Sequence, residues 1–364
     1  MTSEINEGDL HMNERERILA AINYRPPDKV PFLHSFAPSA WKYGRDLLDV
    51  LNAHPDDFRE GPYTEADIQK PDPADFKNGR YDKRATDAWG CTREFHNFGI
   101  AGMIIDPIVL ADKNALKTYQ PPSPPACTPE NPDFLKEREH QRKYRRDHYA
   151  VTLFLPTFER MHYLRGYQQL LLDIATGDPF VEELLDRVVE NNMGWLRWAI
   201  AVEAEAVIFS DDWGTQNGLM INPNVWRRIF KPRYKRMFET VRKEGMDVWM
   251  HSDGVITEIL PDLAEIGLKV LWPQFSCYDL RDFAGRVRSL RIAVLSDFDR
   301  QKVLPFGTPE EIDAYVKEVL DIFRARQGGL IGRAELSGDM PLENIRAFLA
   351  AFWKYGRNEN GGIA

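Results

Sequence analysis

The chain has 364 residues, 43% of them hydrophobic, and a formal net charge of −9. That length and apolar content suffice for a full buried core, while the acidic balance argues against a nucleic-acid grip or an anionic membrane surface, both of which need clustered Lys and Arg. The three cysteines, Cys91, Cys127 and Cys277, lie far apart and fit neither a disulfide framework nor a thiolate metal motif, so each reads as a packed thiol in a reducing compartment. With a polar N-terminus and no run near the ~20 apolar residues of a membrane helix, the expected location is the cytoplasm.

Residues 1–12 are polar and aperiodic and read as a loose tail. Apolar residues at helical spacing then follow a cap at Asn13, and Arg25-Pro-Pro-Asp28 stops that helix before a short strand at Val30–His34. Residues 54–90 are charged and irregular, with room for a homodimer contact, and Pro121–Pro129 is a stiff connector. A weak strand is expected near Gly102–Ile105.

The second half is more regular. Strands are expected at Tyr149–Leu155, Ala206–Ser210, Asp247–His251, Lys269–Trp272, Ile292–Ser296 and Leu330–Ala334, with amphipathic helices at Val225–Glu244, Ile256–Ile266, Pro309–Arg326 and Leu342–Tyr355. Near-continuous apolar strands alternating with helices indicate a parallel sheet covered on both faces. With the two early strands the count reaches eight, which predicts a closed (β/α)8 TIM barrel with an N-terminal helical extension, one domain over residues 13–357. No Gly-x-Gly-x-x-Gly follows an early strand, so a dinucleotide fold has no support.

In such a barrel the polar residues just past each strand share one mouth. They are His34, Asp211 and Asp212, His251 and Asp253, Gln274, Asp297 and Asp299, and Glu335. His251 and Asp253 close the run Val248-Trp-Met-His-Ser-Asp-Gly254 and lie two apart, hence on one side of an extended segment, the spacing of a metal site or an acid/base pair. The bland alternative is a hydrogen-bonded pair that only orders the strand end. Asp211 and Asp212 are neighbours and cannot both face the mouth from an extended strand, so Asp211 is assigned to the site and Asp212 to the following turn. Arg165 reads as the ion partner of an acidic neighbour such as Glu159, and His162 as packed or exposed. Most aromatics are core; Trp213 and Phe298, just past strand ends, are the ones expected to line a pocket for an aromatic ring.

The order of these pieces resembles the uroporphyrinogen decarboxylase-like family, specifically its cobalamin-dependent methyltransferase branch. The likeness runs through Asn13-Glu-Arg-Glu-Arg-Ile-Leu-Ala-Ala-Ile, Pro27-Asp-Lys-Val-Pro-Phe32, Asp87-Ala-Trp-Gly90, Phe158-Glu-Arg-Met-His-Tyr-Leu-Arg-Gly166, Asp211-Asp-Trp-Gly-Thr-Gln216, His251-Ser-Asp-Gly254 and Leu304-Pro-Phe-Gly-Thr-Pro-Glu-Glu311. Porphyrinogen decarboxylases of the family carry an arginine-rich N-terminal segment, whereas this chain has Phe32-Leu-His-Ser-Phe-Ala-Pro38 there. Thiol-methylating members bind zinc with a His-x-Cys pair and a later Cys; here the pair is His251 and Asp253 and the later position falls at or near Glu335. The resemblance therefore implies a zinc site of His251, Asp253 and Glu335, with metal identity open. Such harder ligands leave an ion more electrophilic than thiolates do, which suits an oxygen leaving group.

The expected function is removal of a methyl group from a methoxylated, aromatic small molecule and its transfer to the cobalamin of a separate corrinoid protein. Asp211 and His34 are the catalytic candidates, and Trp213, Gln274, Phe298 and Arg333 the substrate-binding ones. The competing readings are a decarboxylase of a small acid, for which Arg333 and Arg300 supply cationic anchors, and a barrel that only binds a ligand.

Overall fold

The computed structural model describes residues 11–357; residues 1–10, most of the expected tail, lie outside the described residues. Helix α1 (Glu14–Ile22) starts as its cap predicts: the Asn13 side chain accepts from the Glu16 N–H at 2.8 Å, and the Glu16 carboxylate accepts from the Asn13 N–H at 3.1 Å.

Seven strands form one parallel sheet: β1 (Phe32–Phe36), β2 (Val151–Leu155), β3 (Ala206–Ser210), β4 (Asp247–Ser252), β5 (Val270–Pro273), β6 (Ala293–Leu295) and β7 (Leu330–Leu336). The spatial order is β1-β7-β6-β5-β4-β3-β2, so the first strand pairs with the last. Alternation along each strand splits the apolar residues into two clusters. Ala206, Trp249, Val270, Ala293, Leu295 and Ile331 face the hollow of the curled sheet, where Ile18, Ala21 and Ile22 of α1 plug the N-terminal end. Val207, Phe209, Val248, Met250, Leu271 and Val294 face outward to the covering helices.

The sheet does not close, and this corrects the expected eight-stranded TIM barrel. It is a half-barrel whose free edges, β1 and β2, stand 12 Å apart. The run expected to supply the eighth strand, Gly102–Ile105, contributes only Met103–Ile104, which pairs antiparallel with Arg93 and Glu94 in a separate three-stranded meander. That run is too short to span the sheet, it leads into Asp106-Pro107, where the proline has no N–H for a ladder, and Met103 remains 72% exposed.

A loop takes over the missing strand's work at the lower half of the gap. The Phe32 N–H donates to the Asp57 carboxylate at 2.7 Å, the Asp57 N–H donates to the Phe32 carbonyl at 2.9 Å, and the His34 N–H donates to Asp56 at 3.1 Å. Phe58 packs into the hollow against Trp249, ring centroids 6.2 Å apart. Among the described residues no helix is long and apolar enough to cross a membrane.

Candidate active site

Register alone brings the central residues together. Ser210 pairs with His251 and Trp272 pairs with His251, so Asp212 and Asp253 each stand two residues beyond the same level on adjacent strands. Two glycines then let the loops touch. A Cβ on Gly254, at φ +73°, would lie 2.2 Å from the Gly214 carbonyl carbon, and one on Gly214 would lie 2.4 Å from that of Gly254. Only a pair of glycines permits this approach, and the Asp253 N–H donates to Asp212 Oδ1 at 2.8 Å across it.

The result is a cluster of Asp212, His251 and Asp253 whose ligand atoms all lie within 4.8 Å of one another. His251 Nε2 is 3.5 Å from Asp212 Oδ1 and 3.6 Å from Asp253 Oδ1. Two donors bound about 2.1 Å from a tetrahedral ion would be about 3.4 Å apart, so this spacing fits a divalent cation. Two further observations agree. Asp253 Oδ1 is buried without a hydrogen-bond partner, which costs free energy unless a cation or proton meets it. The other imidazole nitrogen, Nδ1, lies 3.1 Å from the Trp272 carbonyl; donating there fixes the tautomer that leaves the Nε2 lone pair for a metal. Burial, reinforced by the Asp212 charge, holds the Asp253 carboxyl above the ordinary carboxylate range.

The assignments of Asp211 and Asp212 are thus exchanged relative to the sequence reading. Asp211 is fully buried; it accepts from the backbone N–H groups of Thr157 at 2.8 Å and Glu159 at 2.9 Å, and from the Tyr234 hydroxyl. It ties β3 to helix α2 (Phe158–Arg165) and to helix α3 (Lys231–Lys243). Burial pushes its carboxyl up to about 7.

Glu335 stands apart from this cluster of three. It pairs with Arg300 and lies 3.7 Å from Arg333. Arg300 also lies 3.7 Å from Asp253 and 3.7 Å from Asp297, bridging the cluster to its acidic rim. Arg333 is buried, 3.0 Å from Asp297 and 2.8 Å from the Ser35 hydroxyl, and its guanidinium lies 3.8 Å from the Trp272 ring centre.

Other expected residues fall elsewhere. His34 shares the outward parity of Phe32 and Phe36, and its Nδ1 lies 3.2 Å from the Tyr63 hydroxyl, away from the mouth; burial pushes its imidazole down to about 3. Trp213 is core, stacked on Phe158 at 4.3 Å and edge-on to Phe230 at 4.7 Å. Phe298 is core as well, packed against Phe348 at 5.0 Å. Gln274 supports the loop after β4, accepting from the Gly254 N–H at 3.0 Å. Arg165 pairs with Asp173, not Glu159.

Glu159, His162, Phe154 and Trp272 were not singled out as site residues by sequence reasoning. Burial, then the neighbouring Asp212 and Asp211, pushes the Glu159 carboxyl up to about 8, and burial lowers His162 to about 4. Phe154 and Trp272 stand beside His251, with ring centroids 6.5 Å and 4.2 Å from it. The signal for Glu159 was its place in the first turn after β2, on the same rim as the other strand ends.

No curated protein matches the chain. Among solved structures, a methyltransferase from Methanosarcina mazei is similar over 95% of this chain and 99% of that one, at 16% identity and a TM-score of 0.65, which shows a shared fold. A 3-keto-D-glucoside 4-epimerase from E. coli (11% identity, covering 57% of this chain and 99% of that one, TM-score 0.33) is too distant to carry an argument. The uroporphyrinogen decarboxylase (URO-D) family model matches residues 154–355, more than half of the chain, with five of the seven sheet strands whole, the end of β2 and the Asp212, His251 and Asp253 cluster, so the chain belongs to the uroporphyrinogen decarboxylase family.

Proposed function

We propose that this protein is a metal-dependent methyltransferase that removes a methyl group from an oxygen of a methylated small molecule and delivers it to the cobalamin of a separate corrinoid protein. The observation that carries the reading is the Asp212, His251 and Asp253 cluster, spaced for a divalent cation and holding one carboxylate oxygen without a partner. The metal set is thus His251, Asp253 and Asp212, with Glu335 held by Arg300 on its rim. Zinc is the ion of choice for an imidazole and two carboxylates with a position left open. Such an ion supplies Lewis acidity, stabilising negative charge on an ether oxygen as its methyl leaves, and the corrinoid partner supplies the nucleophile.

The chain's own residues have three tasks. His251, oriented by the Trp272 carbonyl, and the two aspartates hold the cation. Arg300 and Arg333 offset the charge of Asp253, Asp297 and Glu335, so that an acidic mouth stays folded. Glu159, whose burial favours the protonated form of its carboxyl, is the group that would supply a proton to the departing oxygen, turning the alkoxide or phenoxide into an alcohol or phenol. The fold shared with a methyltransferase agrees with this reading, although chemistry is set by the site and not the fold. A decarboxylase is less well supported because Arg333 and Arg300 already face carboxylates.

The test is formation of methylcobalamin from reduced cobalamin by zinc-loaded protein and a panel of methyl ethers. The reading is abandoned if no ether in the panel yields it, or if protein stripped of metal works as well.

A further inference from the structure

Strand β2 carries one residue too many. Val151 pairs with Ala206 and Thr152 with Val207, but Ile208 then pairs with Phe154, leaving Leu153 as an unpaired bulge residue. Leu153 sits at φ +61°, a backbone conformation that a residue with a Cβ adopts only under constraint. The extra residue inverts the alternation. Without it Leu153 would stand opposite Ile208 and point into the hollow, and Phe154 would pair with the outward-facing Phe209. As built, Leu153 packs against the outer core, Val151 against the inner one, and Leu155 is buried outside. Phe154 is delivered to the mouth, 6.5 Å from the His251 ring at an angle of 26° and 6.1 Å from Trp272.

There it stays 51% exposed although it belongs to a strand of the main sheet. Trp272 has its ring taken by His251 at 4.2 Å and by Arg333 at 3.8 Å. Phe154 therefore offers the open aromatic face beside the metal cluster. Bulges next to active sites re-aim a side chain. This one spends a strained residue to expose an apolar ring, a combination that stability alone does not favour.

We propose that Phe154 is a specificity-determining residue, a wall beside ligand His251 that prefers a flat ring over an alkyl group on the methyl donor, and that the bulge at Leu153 is the device that turns it inward. The proposal deepens the methyltransferase reading and rests on it for the word donor; the wall itself can be tested without turnover.

The experiment measures binding of 2-methoxyphenol and of 2-methoxyethanol to zinc-loaded wild type, Phe154→Ala, Phe154→Leu and Phe154→Tyr by titration calorimetry, followed by methyl transfer from the same two ethers to reduced cobalamin. A ring–ring contact corresponds to about a tenfold preference. The ratio of the two affinities is expected to fall by about that factor in the alanine and leucine variants and to persist in the tyrosine variant, with zinc content unchanged in all three. The proposal is overturned if wild type shows no ring preference, if the alanine variant keeps the preference or weakens both probes equally, or if the tyrosine variant loses it as fully as alanine does. Phe154-dependent ring binding leaves the wall standing whether or not these two ethers give up their methyl groups; the proposed reaction falls only if no ether of the wider panel does. Transfer without ring preference would refute the wall alone.

Discussion

Replacing Asp211 by alanine removes the acceptor of three hydrogen bonds at one buried point. The donors are the N–H groups of Thr157 and Glu159 and the Tyr234 hydroxyl; Thr157 and Tyr234 are fully buried, so water cannot replace the carboxylate. A buried donor left unsatisfied costs roughly 1–3 kcal/mol, so the three together cost about 3–9 kcal/mol, a large part of the roughly 5–15 kcal/mol that holds a domain folded. Asparagine at this position keeps an oxygen for the two backbone donors and leaves only the Tyr234 O–H without its acceptor. Asp211→Asn is therefore expected to cost about 1–3 kcal/mol, less than alanine. Urea unfolding followed by tryptophan fluorescence separates the two variants. An alanine variant within about 1 kcal/mol of wild type, or an asparagine variant as unstable as alanine, would show that these hydrogen bonds do not anchor α2 and α3 to β3.

Four more outcomes are expected. His251→Ala and Asp212→Asn lose bound zinc on elemental analysis while Glu335→Gln keeps it, since Glu335 pairs with Arg300; zinc lost in His251→Ala and Glu335→Gln but kept in Asp212→Asn would return the site to the His251, Asp253 and Glu335 set. Gly254→Ala places a Cβ 2.2 Å from the Gly214 backbone at φ +73°, so it should lower the melting temperature and weaken zinc binding together; a variant with wild-type zinc affinity contradicts the pinching role of that contact. Glu159→Gln should lower the methyl-transfer rate without changing zinc content, most for ethers whose alkoxide is a poor leaving group. Hydrogen bonds from Arg142 and Arg138 hold the Glu203 carboxyl down to about 2. A depressed carboxyl value adds stability above its unfolded value that is lost as pH falls through the folded one, so Glu203→Gln should be less stable than wild type at pH 6 and equal to it near pH 2. The arginines are 39–53% exposed, and solvent screening limits the difference to under about 1 kcal/mol.

The second half of the sheet was legible because its strands are apolar on both faces and bounded by helical periodicity. Ala206–Ser210 matches, and the other five end within two residues of the expected bounds. The His-x-Asp spacing placed His251 and Asp253 on one side correctly, since β4 stays extended to Ser252. What failed did so for long-range reasons. A four-residue apolar run such as Gly102–Ile105 looks the same in a barrel and in a surface meander. The choice between Asp211 and Asp212 depended on which amides and hydroxyls stood behind β3, and those belong to residues 157, 159 and 234. Trp213 and Phe298 follow strand ends as pocket residues do, yet the covering helices enclose them. Phe154 was hidden by the bulge, because a single inserted residue inverts the parity from which a reader infers facing.

Pairing of the first strand with the last has a consequence for how the chain acquires its structure. Phe32 stands beside Gly332, and α1 packs inside a hollow lined by Ala293 and Ile331. During synthesis β2 through β6 emerge in the order in which they pair, and each can join its predecessor at once. The N-terminal segment must wait until almost the whole chain has left the ribosome, holding an apolar helix and a strand whose early neighbours are only local ones such as Trp41, the 56–58 loop and Tyr63. Contacts of such separation are slow to form and expose the chain to association meanwhile. Truncation from the C-terminal side should accordingly strand α1 and β1, leaving soluble yield sensitive to the loss of β7 long before Asp212, His251 or Asp253 is removed.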